Sequence, residues 1–71
     1  MSSALRPALT ALDVRVLHAV PRHRGVRIAQ VVKATGGRET ADTVRSILRG
    51  LERTGYVTGA GGWWRRHEAD T

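Results

Sequence analysis

The stretch Thr40 to Val57, TADTVRSILRGLERTGYV, constrains this chain more than any other. Its apolar residues are Ala41, Val44, Ile47, Leu48 and Leu51, separated by three, three, one and three positions. A 3.6-residue period gathers them on one stripe, which predicts an amphipathic helix with a core-facing side. The opposite side carries Asp42, Arg45, Ser46, Arg49 and Arg53 and no large apolar residue. Thr40 is a residue type that accepts a hydrogen bond from the first-turn N–H groups. Asp42 sits where the helix dipole favours a carboxylate. Gly55 can take the left-handed conformation at C′, so the helix is expected over about 41–54. Gly50 flanks the apolar stripe and costs ~1 kcal/mol against Ala inside a helix. Close approach of a neighbouring helix is its expected reason. A fold built around this segment must cover one face and leave a basic face bare.

The rest of the chain supplies elements that can cover it. LTALDVRVLHAV places Leu12, Val16 and Val20 at separations of four, with Leu17 widening the face. Thr10 and Asp13 have capping-box spacing, and Leu9 precedes the cap. The first helix is therefore expected from about Ala11 to Val20, ended by Pro21. PRHRG forms a basic loop tip with Arg22, His23 and Arg24, followed by a very short strand at Gly25 to Arg27. Ile28 to Thr35 reads as a short second helix with Ile28, Val31 and Val32 inward, ended by Gly36 and Gly37. After Gly55, Tyr56 to Thr58 and Trp63 to His67 read as two strands of a β-hairpin around a four-residue turn, Gly59 to Gly62. Trp63 and Trp64 are adjacent, so on a strand they point to opposite faces, one into the core and one outward. Arg65 and Arg66 alternate in the same way.

The expected class is α+β: one domain over 1–71 in the order α-β-α-α-β-β, with 1–8 and 68–71 as disordered tails. Seventy-one residues allow a small core, here without Phe. The absence of cysteine removes disulfides and thiolate metal sites. His18, His23 and His67 lie far apart without ligand-spaced partners, so no metal is expected. No apolar run reaches spanning length and no signal-peptide pattern opens the chain, so the expectation is a cytoplasmic protein with no membrane partner. There is no paired carboxylate, nucleophile–base pair or phosphate loop, so neither an enzyme nor a cofactor site is expected. Twelve basic side chains oppose six acidic ones, and eleven of the twelve are Arg, with Lys33 the exception. Arg binds phosphate in a bidentate way and reads guanine, so this balance points to nucleic acid.

In this order the chain resembles a winged helix-turn-helix DNA-binding domain of the kind found in MarR-type bacterial or phage regulators. LTALDVRVLHAV resembles the first helix of that family. VRIAQVVKATG resembles the second helix with its closing glycine. TVRSILRGLERTGYV resembles the recognition helix and the start of the wing. The resemblance covers about Leu9 to His67. It implies sequence-specific binding of double-stranded DNA and transcriptional regulation. It places Arg45, Ser46 and Arg49 in the major groove, with Thr40, Asp42, Thr43 and Arg53 on the same helix. It places Arg38 in the turn before that helix, where backbone phosphates are met, and Lys33 and Gln30 on the second helix beside them. The wing tip differs from the family pattern: Gly59 to Gly62 carries no charge, so wing contacts fall to Arg65, Arg66 or one of Trp63 and Trp64.

Other uses of such a fold are open at this level. A winged helix can serve protein–protein contact within a larger DNA-processing complex, with the exposed Trp as anchor. RNA or left-handed DNA is a third target, although domains for left-handed DNA carry a Tyr that this helix face lacks. A homodimer or larger assembly is compatible with the chain, and no small-molecule ligand is expected.

Overall fold

A computed structural model describes residues 9–67 and contains three helices and one two-stranded hairpin. The elements are α1 (Ala11–His18), α2 (Ile28–Ala34), α3 (Ala41–Arg53), β1 (Val57–Ala60) and β2 (Trp63–Arg66). This is the expected small α+β arrangement, and the hairpin stands where a wing would. The expected tails, 1–8 and 68–71, lie outside the described residues.

Each helix ends for a local reason. Thr10 Oγ1 accepts from the Asp13 N–H at 3.1 Å while Asp13 Oδ2 accepts from the Thr10 N–H at 3.0 Å. That reciprocal capping box starts α1. The helix stops at His18 rather than Val20, because Pro21 lacks an N–H and disfavours helical backbone at the residue before it. Both later helices close with Schellman motifs. In α2 the Gly36 N–H donates to Lys33 O and the Gly37 N–H to Val32 O. In α3 the Gly55 N–H donates to Glu52 O and the Tyr56 N–H to Leu51 O. Gly36 and Gly55 take φ of 99° and 91°, the left-handed region such closures need. Tyr56 is consequently part of the helix closure, not of the strand.

The core is the stripe read from α3 plus one aromatic. Val44, Leu48 and Leu51 are buried together with Val16 and Val20, Val26, Val31, Val57 and Trp64. Ala41, expected on the stripe, is exposed at the first turn of α3. α3 packs against α1, α2 and β1, so it is the central element. The buried Thr35 hydroxyl donates to Val31 O and Val32 O, so its polarity is satisfied.

The hairpin has a shorter turn than its sequence reading. Ala60 pairs with Trp63, leaving Gly61 and Gly62 alone as the turn. Both have positive φ, 60° and 86°, the geometry of a type I′ turn. Gly59 therefore belongs to β1, opposite Trp64. A Cβ at Gly59 would lie 2.7 Å from Cζ3 of Trp64, so glycine is required there by the indole ring and not by the turn. The expected short strand at Gly25 to Arg27 is a single bridge: Val26 and Trp64 exchange two backbone hydrogen bonds of 2.8 and 2.7 Å.

Gly50 also departs from its expected reason. A Cβ there would meet nothing within 4 Å among the described residues, so none of the described helices approaches it closely. The position borders a hollow between the start of α1 and α3, shared with Leu9 and Ile47. Gly50→Ala is expected to raise stability by about 0.5–1 kcal/mol, through helix propensity and a less free unfolded chain. Gly59→Ala is expected to lower it by about 1–3 kcal/mol, because the indole cannot yield without disturbing the core. Urea or thermal unfolding of the two variants checks both signs.

Candidate nucleic-acid interface

The outer face of α3 and the hairpin enclose a crevice. One half, about 460 Å³, is lined by Arg27, Ile28, Ala29, Arg45, Arg49, Gly62 and Trp64. The other, about 410 Å³, runs past Arg49, Glu52 and Arg53 to Gly59, Ala60, Gly61, Gly62 and Trp64. Arg49, Gly62 and Trp64 border both halves. Four arginines, three on α3 and one at the cap of α2, thus border one half or the other of this crevice, beside a glycine tip with no side chains.

α3 positions its arginines by helical spacing. Arg45, Arg49 and Arg53 stand four apart on the exposed face, while Val44, Leu48 and Leu51 point inward. Thr40 fixes the start of the helix: its Oγ1 accepts from the Thr43 N–H and donates to Thr43 Oγ1, each at 3.1 Å. The two threonine hydroxyls therefore meet each other first. Asp42 accepts a hydrogen bond from Arg45 at 2.9 Å in an exposed pair, which contributes little to stability. It places a carboxylate beside the crevice, where it tethers Arg45.

Not every expected residue joins this groove. Ser46 is exposed but borders the hollow with Leu9, Asp13, Gly50 and Thr54 on the α1 side. Lys33 and Arg38 are exposed, on α2 and on the turn before α3. Gln30 serves the helix start instead, where its Oε1 accepts from the Arg27 N–H at 2.9 Å and secures the first turn of α2. Arg65 and Arg66 lie at the base of the hairpin with Arg22 and His23, apart from the crevice.

The structure separates the two tryptophans. Trp64 is buried and forms the crevice floor. Trp63 is the large apolar side chain left exposed among the described residues, at 45%. Its ring rests near Gly25, where a Cβ would come within 3.4 Å of Cε3, and the Arg27 guanidinium lies 4.3 Å from the ring centroid. That distance is within cation–π range. Arg27 and Glu52 are crevice residues that sequence reasoning does not single out. The usable clue for Arg27 is its place beside an inward Val26 on a strand, although its meeting with Trp63 depends on the register across the bridge. Glu52 belongs to the exposed face by its position between Arg49 and Arg53, and its charge partly offsets theirs.

Comparison with protein-family models, with curated proteins and with solved structures gives no match. The site therefore stands on its own geometry. Arg27→Ala removes the stacked guanidinium. It is expected to shift the indole N–H resonance of Trp63, leave that of Trp64 in place, and lower stability by no more than about 1 kcal/mol. A two-dimensional NMR spectrum of the variant checks this.

Proposed function

We propose that this chain binds double-stranded DNA as a winged helix-turn-helix module, with α3 laid in the major groove and the hairpin flanking it. The carrying observation is the convergence of Arg27, Arg45, Arg49 and Arg53 on one crevice beside a side-chain-free hairpin tip. A helix of 13 residues is about 20 Å long, and the major groove is wide enough to admit it. Arg45 and Arg49 take the base-reading role, since guanine O6 and N7 match the guanidinium fork. Arg27 and Arg53, with Lys33 and Arg38 outside the crevice, take phosphates, which position the helix without reading sequence. Asp42 must release Arg45 for base contact, so sequence discrimination includes the loss of that ion pair. Gly61 and Gly62 let the wing backbone approach the sugar–phosphate chain closely. The role is binding rather than catalysis, in the cytoplasm, within transcriptional regulation of the MarR-type kind. Among the described residues no helix is long and apolar enough to cross a membrane.

A second reading is favoured by one observation, the exposed Trp63 braced by Arg27. In it the same fold docks a protein partner, with Trp63 as the buried anchor.

The two readings separate by mutation and salt. On the DNA reading, the four phosphate contacts give a log–log salt slope of about −3.6. Arg45→Gln with Arg49→Gln then weakens binding to a preferred site by about 1–3 kcal/mol for each guanine no longer read. Trp63→Ala leaves most of the affinity in place. Fluorescence anisotropy with labelled duplexes at several salt concentrations measures all of this. A slope near zero, or loss of binding with Trp63→Ala alone, rejects the DNA reading.

A further inference from the structure

The base of the hairpin carries a second cationic cluster that the crevice does not use. Pro21 O accepts the Arg66 N–H at 2.8 Å, and Val26 exchanges both of its backbone groups with Trp64. The loop between them, Arg22 to Gly25, is thereby clipped at both ends to alternate residues of β2. The clip brings Arg22 and His23 beside Arg65 and Arg66, and these four residues line a cavity of about 240 Å³ at the strand edge, although Arg65 and Arg66 start from opposite faces of β2. Among the described residues no carboxylate lines it. Three of the four carry a permanent positive charge, and each guanidinium is a planar fork of donors suited to phosphate oxygens. Arg66 also has a buried Nε with no hydrogen-bond acceptor among the described residues.

A solvated, mutually repelling loop would spread its charges apart. Here the backbone clip holds them together, and an anion drawn in among them would offset the repulsion and offer acceptors to the guanidinium edges. None of the four residues lines the crevice. Arg66 is four residues from the hairpin tip at Gly62, which is about 13 Å along an extended strand. We propose that Arg22, His23, Arg65 and Arg66 form a second anion site, one that takes a phosphate group. The phosphate is either that of a nucleic-acid backbone segment passing outside the crevice or a free phosphate species. The site does not depend on the DNA reading of α3.

The test is an NMR titration of the ¹⁵N-labelled full chain, following the backbone amides of Arg22 and His23 and the Nε–H groups of Arg65 and Arg66. Inorganic phosphate is added in one arm, with chloride at matched ionic strength as its control, and duplex DNA in the other. Saturable shifts with phosphate, absent with chloride and weakened at least tenfold by Arg22→Gln, support a free-phosphate site. Shifts at these four residues with duplex only, weakened likewise by Arg22→Gln but retained in Arg45→Gln with Arg49→Gln, support a backbone-phosphate site. Arg22 is exposed, so its replacement leaves the fold intact, and Arg66→Gln serves as a second variant where it folds. Absence of shifts in both arms, or shifts unchanged by Arg22→Gln, overturns the proposal.

Discussion

The packing of Trp64 is the contact on which the rest of the structure depends. Its backbone bridges Val26, its indole lies against the bare backbone of Gly59, and its ring forms the floor of the crevice. The remaining buried apolar residues are six valines and two leucines, so Trp64 is the largest side chain of the core. A buried Trp is worth about 3–5 kcal/mol against Ala, a large share of the roughly 5–15 kcal/mol that holds a typical domain. One side chain therefore ties the hairpin, the bridging residue and the helical core together.

That arrangement has an electrostatic consequence. Closing the hairpin onto α3 brings Arg27, Arg45, Arg49 and Arg53 to one groove, with Asp42 and Glu52 as the nearby acids. The pairing of Arg45 with Asp42 and the stacking of Arg27 on Trp63 ease the crowding locally. A polyanion would ease it further, and this is the physical basis of the DNA reading. The same logic applies at the hairpin base, where a clipped backbone rather than helical spacing gathers the charges.

The elements are largely legible from the residues because their periods and stops are local. The stripe Val44, Ile47, Leu48 and Leu51, the Thr10–Asp13 box and the Gly36 and Gly55 closures each act within a few residues. What escapes a sequence reading depends on contacts between distant segments. Gly59 looks like turn because it sits in a glycine run, whereas the ring of Trp64 on the opposite strand requires it. Gly50 looks like a close-packing site because it borders the stripe, but bordering a stripe does not supply a neighbour. Which Trp is buried follows from strand register, and alternation alone does not reveal register. The same dependence hides the place of Arg27 in the crevice from a sequence reading, and it keeps Arg65 and Arg66 out of the crevice.

The central claim is that the arginine face of α3 and the hairpin tip form a DNA-binding surface. An NMR titration of the full chain with random-sequence duplex DNA, repeated at higher salt, tests it most directly. The account predicts shifts at Arg27, Arg45, Arg49, Arg53, Gly61 and Gly62 that shrink as salt rises. Absence of shifts at Arg45, Arg49 and Arg53 at low salt would contradict it.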